Sequence, residues 1–229
     1  MLADSAGGGP MLDLVGTAVG AIPDGRTPVD GSMVRPGDVV LALPSSGLHS
    51  NGYSLARRAL GRRTGELADA LLAPTRVYVR AAEALWAAGV TPRGLAHISG
   101  GGLLNLARLA ADVSYTLDAL PPAPSVFALI AEAGDIPAAT MYATFNMGTG
   151  FCVVVSSADA PAALDTLTAA GEHPVVAGSV TERPGRYVSI PAAGLLGRGD
   201  SFSPGGTIPP RPPLLMGGYP PPHTPRDTV

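Results

Sequence analysis

The chain has 229 residues, 46% of them hydrophobic, and a formal net charge of −3, so it can bury a sizeable core and offers no footprint for nucleic acid or an anionic membrane surface. All 15 basic residues are arginine, which excludes both a lysine Schiff base and a G-x-x-x-x-G-K-[ST] phosphate loop. A lone cysteine, Cys152, excludes a disulfide framework and a multi-cysteine zinc site.

Residues 1–10 carry no periodicity and read as a disordered start. Leu12 to Ile22 is apolar and β-branched with small residues interleaved, the pattern of a strand packed closely on another surface. A turn-rich segment from Pro23 to Asp38 follows. Val39-Val-Leu-Ala-Leu43 reads as a short buried strand. Helical spacing begins at Tyr53, with Leu55, Ala56, Ala59 and Leu60 on one face, and resumes from Arg76 to Ala88 after a helix-start signal at Pro74 and Thr75. Further helices are predicted over Gly101–Ala111, Ser125–Ala133 and Ala160–Ala170. Strands are predicted at the end of Thr144–Ser156, where Cys152 is a buried position, and as a closing pair over Pro174–Val180 and Arg186–Ile190. This alternation predicts an α/β (α+β) layered domain in which a mixed sheet packs with helices. From Gly197 onward the pattern dissolves. Nine prolines among residues 201–229 lack the material for a core, so 193–229 is read as a Pro/Gly-rich disordered tail. No basic-then-apolar leader pattern and no apolar stretch of membrane-spanning length is found, which makes the cytoplasm the expected compartment and membrane and nucleic-acid partners unexpected.

Scarce polar residues concentrate in three loops. The chain has three asparagines and four histidines, and the loop from Leu43 to Ser54 holds His49 and Asn51 among four serines and two glycines. Small residues leading into a helix present free backbone N–H groups, the physical basis of anion binding, so a phosphate or carboxylate is one candidate ligand. Helix capping by Ser50 or Asn51 is the alternative. A second loop, Ala96-His-Ile-Ser-Gly-Gly-Gly102, places His97 and Ser99 before three glycines. Three flexible residues in a row are tolerated most readily where bulk would strike a ligand or a second backbone, although His97 taken alone reads as a buried hydrogen-bonded residue. The third, Met141-Tyr-Ala-Thr-Phe-Asn-Met-Gly-Thr-Gly150, sets Asn146 before two glycines and a strand. None has the spacing of a metal site, and no Ser-His-Asp triad follows from their order.

Together these motifs resemble, in order and spacing, the C-terminal half of the aminoimidazole ribonucleotide synthetases (phosphoribosylformylglycinamidine cyclo-ligases) of purine biosynthesis. The resemblance runs through Ser45-Ser-Gly-Leu-His-Ser-Asn-Gly-Tyr-Ser-Leu55, Leu72-Ala-Pro-Thr-Arg-Val-Tyr-Val79, Ala96 to Gly102 with Asn105 and Arg108, and Met141 to Gly150. It implies ATP-dependent ring closure of formylglycinamidine ribonucleotide, with magnesium accompanying ATP. His97 is then the candidate donor to the developing oxyanion or leaving phosphate, with His49 beside it. Ser50, Asn51, Gly52, Ser99, Gly100, Gly101, Gly102 and Asn146 are the candidate substrate-holding positions.

Family members are similar to two-domain proteins with a lysine-bearing nucleotide segment in the N-terminal domain, which also builds a dimer interface. Against that pattern, residues 11–38 are expected to be the last strand of a mostly absent N-terminal domain plus a linker, and 39–192 the C-terminal synthetase-like domain. Ser99 stands where threonine is usual, and Ala143 where the family tends to place a larger polar residue. Two expectations follow: a chain that needs an N-terminal half as a separate partner, with a homodimer as a further family property, or a non-catalytic ligand-binding or pseudoenzyme domain of the same fold.

Overall fold

The computed structural model describes residues 15–22 and 24–209. In chain order its strands are β1 (Val39–Pro44), β2 (Gly94–His97), β3 (Ser114–Leu117), β4 (Thr149–Val155), β5 (Val175–Thr181), β6 (Val188–Ile190), β7 (Leu195–Arg198) and β8 (Ser201–Pro204). The α-helices are α1 (Tyr53–Leu60), α2 (Ala68–Leu71), α3 (Val79–Ala87), α4 (Ser125–Gly134), α5 (Ala138–Thr144) and α6 (Ala160–Ala169). One mixed sheet contains all these strands in the order β2-β4-β1-β5-β3-β6-β7-β8, with β3 and β6 its parallel pair.

β1 and β4 are apolar without alternation because both of their faces are covered. Val40, Ala42, Cys152 and Val154 join one core, which also takes Ile98, Tyr115 and Ile190 and a 3₁₀ turn over Gly102–Arg108. Leu41, Leu43, Val153 and Val155 face the other way, onto Ala81 and Leu85 of α3 and Ala163 and Leu167 of α6. A third cluster lies among α1, α4 and α5, built on Leu48, Ala56, Phe127, Ile130 and Phe145. Asp38, only 3% exposed, fixes the entry to β1 by accepting from Arg93 at 2.5 Å and from the Arg35 backbone N–H at 2.8 Å.

β1 and β2 both run antiparallel to β4, so they point the same way. The loops leaving β1 and β2 and the loop entering β4 therefore gather at one end of three neighbouring strands. That end is where Asn51, Asn105, Asn146, His49 and His97 lie.

Several sequence expectations are corrected. Residues 15–22 form no strand and are exposed, because a strand exists only by pairing its backbone and no described strand runs beside them; Leu12 to Leu14 lie outside the described residues, as do residues 1–10. The helix predicted over Gly101–Ala111 is the 3₁₀ turn Gly102–Arg108, entered through a left-handed Gly101 (φ 97°). The strands expected to close the domain as a pair are separated by β3, which pairs with both. α5 occupies residues read as loop. The tail expected from residue 193 instead opens with the hairpin β7–β8, whose Leu195 and Phe202 are buried against the sheet's concave core; residues 210–229 lie outside the described residues. Among the described residues no helix is long and apolar enough to cross a membrane.

Candidate functional site

The loop after β1 is rigid by construction. His49 (φ 53°) and Ser50 (φ 63°) both sit in the left-handed region, a strained conformation for residues with a side chain, and Gly52 (φ 76°) completes the turn into α1. No side chain caps α1, so neither Ser50 nor Asn51 serves as the helix cap. Asn51 instead donates from Nδ2 to the His49 carbonyl at 2.9 Å.

Asn146 ties this loop to the one entering β4. It is 1% exposed; its Nδ2 donates to the Gly47 carbonyl at 2.7 Å, while its Oδ1 accepts from the Ser45 hydroxyl at 2.8 Å and the Gly148 N–H at 2.9 Å. With both ends of its amide engaged, Asn146 orients the loops. The turn after β2 joins through close approaches. A Cβ on Gly100 would meet the Asn51 Oδ1 at 3.0 Å, one on Gly102 would run into the Tyr142 carbonyl, and one on Gly52 would overlap the Phe145 ring. Glycine at 52 and 102 is thus dictated by contact with α5 and its exit, and all three loops touch one another.

His49 and His97 stack with ring centroids 5.9 Å apart and an 18° interplanar angle. Tyr78, just before α3, lies 6.1 Å from each of them, and Phe151 stacks on Tyr78 at 5.1 Å. The Tyr78 hydroxyl donates to the Pro44 carbonyl at 2.7 Å, and burial pushes its pKa upward, so it is a fixed donor. His49 is 2% exposed. Its Nε2 accepts from the Ser46 N–H at 3.0 Å and faces the Arg76 N–H at 3.4 Å, which assigns the ring proton to Nδ1, where no partner is present among the described residues. Burial, then the nearby His97 and Arg76, lower the His49 pKa to about 4, so the ring is neutral. His97, contrary to the sequence expectation, is exposed.

An open cleft of about 320 Å³ adjoins the second loop, lined by Asp30, His97, Asn105 and Arg108 among others. Asn105 is 6% exposed; its Nδ2 donates to the His97 carbonyl at 3.1 Å, and its Oδ1 has no partner among the described residues. Of the residues selected from sequence, His49, Asn51, Gly52, His97, Gly100, Gly101, Gly102 and Asn146 converge where the three loops touch, and of these His97 also lines the cleft. Ser99 stands beside Asn105 at 3.4 Å, whereas the Ser50 hydroxyl turns toward Thr75 at 3.3 Å. Tyr78 and Phe151 were not singled out, although Tyr78 lies within the Leu72–Val79 motif; an aromatic beside a helix start looks like core until the histidines are placed next to it. Among the described residues no group of three or more His, Cys, Asp or Glu is placed to hold a metal ion.

A family model described as AIR synthase related protein, C-terminal domain, matches residues 35–190. The chain belongs to that family. Its relatives include the phosphoribosylformylglycinamidine cyclo-ligase of Methanothermobacter thermautotrophicus, 44% identical over 184 residues, 75% of this chain and 53% of that protein. Another is the Burkholderia cenocepacia protein of the same name, 45% identical over 173 residues, 70% of this chain and 49% of that one. The chain thus spans about half the length of these curated relatives. In architecture it is similar to the hydrogenase maturation protein HypE solved in complex with ATP, at TM-score 0.53 and 22% identity over 80% of this chain and 54% of that one. E. coli HypE gives TM-score 0.50 and 20% identity, covering 81% and 54%. At these identities the likeness is one of fold, and the α+β layered domain with a mixed sheet is the family's C-terminal architecture.

Proposed function

We propose that this chain supplies the substrate-holding half of a site that closes the imidazole ring of aminoimidazole ribonucleotide from formylglycinamidine ribonucleotide. The reading rests on family membership and on one observation: the three family motifs meet in a single pre-formed cluster, with Asn51 against Gly100 and the His49 and His97 rings stacked. Phosphoryl transfer is catalysed mainly by positioning and charge stabilisation, and positioning is what mutually braced loops provide. The exposed His97 imidazole is the group free to donate to a developing oxyanion or a departing phosphate. His49, neutral and tied down through Nε2, orients it by stacking. Gly100 to Gly102 and the turn at Asn51 and Gly52 hold substrate, with Ser50 and Ser99 at their margins.

ATP supplies the activating phosphoryl group in this reading, in keeping with the HypE neighbour solved with ATP. The half that binds its phosphates and magnesium is assigned to a partner chain carrying an N-terminal synthetase domain. The test is co-expression with such a chain and measurement of ADP release dependent on formylglycinamidine ribonucleotide. The expected result is no turnover by the isolated chain and turnover by the pair. Substrate-dependent ADP release from the purified chain alone overturns the need for a partner. A stable, inactive complex overturns the ligase reading in favour of a non-catalytic binding domain.

A further inference from the structure

Two carboxamides flank the glycine turn in the same sense. Asn51 donates to the His49 carbonyl and Asn105 to the His97 carbonyl. A carbonyl can only accept, so each asparagine must offer its NH₂ there, and the orientation of both amides is fixed. The two Oδ1 atoms are left facing the turn: Asn51 Oδ1 lies 3.0 Å from the position a Gly100 Cβ would take, and Asn105 Oδ1 3.2 Å from that of Gly101. Asn105 Oδ1 has no hydrogen-bond partner among the described residues, and Asn105 is 94% buried, its relative exposure being 6%. An orphaned acceptor held this firmly is an incomplete site waiting for a donor. Beside it, Arg108 places a guanidinium nitrogen 3.1 Å from the same Gly101 position, and neither ion pair among the described residues involves it.

We propose that Asn51 Oδ1 and Asn105 Oδ1 form a pair of acceptors that reads N–H donors of a ligand, with Arg108 taking an adjacent carbonyl oxygen. An anion alone does not satisfy this face, since two of its three groups are acceptors. The ligand end that fits carries N–H groups around one carbonyl: an amidine next to a formamide. This rests on the function proposed above and deepens it, because it makes the turn an amidine selector and moves phosphate recognition elsewhere.

The test is binding of formylglycinamidine ribonucleotide and of formylglycinamide ribonucleotide, which has oxygen in place of the amidine nitrogen, to the full 229-residue chain by NMR titration to millimolar ligand. The unaltered chain is expected to prefer the amidine about tenfold, the discrimination given by one hydrogen bond against one unpaired, repelled acceptor. Asn51→Ala should bring the two affinities together, while Asn51→Asp, which keeps the acceptor, should retain the preference. Arg108→Leu should weaken both ligands alike and leave their ratio unchanged. Equal affinity of the unaltered chain for the two ligands, or an unchanged ratio in Asn51→Ala, overturns the proposal and leaves the ring-closure reading standing. Binding of neither ligand overturns both.

Discussion

His49 holds a neutral ring where water would let it charge. Its pKa falls from 6.5 to about 4 on folding, chiefly through burial, so below pH 6.5 the unfolded chain takes up a proton that the native chain refuses. Stability is therefore complete above about pH 6.5 and declines as pH drops toward 4, by on the order of 2–3 kcal/mol. Urea unfolding at pH 7.5 and 4.5 checks this: His49→Gln should lose much of the pH-dependent difference, and an equally steep loss in that variant would assign it to other groups. Asn146 makes a second residue-scale case, since its amide makes three hydrogen bonds, two of them to Ser45 and Gly47 in a loop far away in sequence and one to Gly148 in its own. Asn146→Ala leaves buried partners unsatisfied and should reduce stability by roughly 2–3 kcal/mol in the same assay, with substrate-dependent activity of the two-chain pair falling further than stability alone explains.

Among the elements, α1, α4 and α6 were legible as helical stretches, and β1 and β5 as short apolar, β-branched runs bounded by turn residues. β3 was not, for Ser114-Tyr-Thr-Leu117 is too short for its alternation to register, and its place between β5 and β6 is set by partners distant in sequence. Tertiary contact also overrode the helical pattern after Gly101: the carbonyls of Tyr142 and Phe145 crowd Gly102, and the segment tightens into a 3₁₀ turn. In the site, scarcity of Asn and His marked the three loops, yet nothing local said that His97 would be open and His49 sealed. That division comes from the start of β4, where Gly150 lets the Tyr78 hydroxyl and the His49 ring close over the backbone. The packing behind this arrangement is tested at α3. Leu85 is fully buried between α3 and the sheet, so Leu85→Ala should cost about 2–5 kcal/mol by chemical denaturation.

For the molecule as a whole, the family match ends at residue 190, but the sheet does not. β7 pairs with β6 along Val188 to Ile190, and Phe202 of β8 packs edge-on against Tyr142 of α5 at 6.3 Å. A chain ended after Ile190 would bare the edge of β6 and the apolar surface beneath Leu195 and Phe202, inviting edge-to-edge association. Such a truncation should aggregate on light scattering where the full chain does not. At the opposite margin of the sheet stands β2, four residues long and paired only with β4. The turn that carries His97, Gly100 and Gly101 hangs from this margin. Margins of sheets open locally at free energies well below that of global unfolding, so the second loop should exchange its amide hydrogens sooner than β1, and ligand affinity should fade on warming before the core melts. The same softness makes the β2 amides a reporter: whatever occupies the turn must slow their exchange, which lets occupancy be read without any turnover.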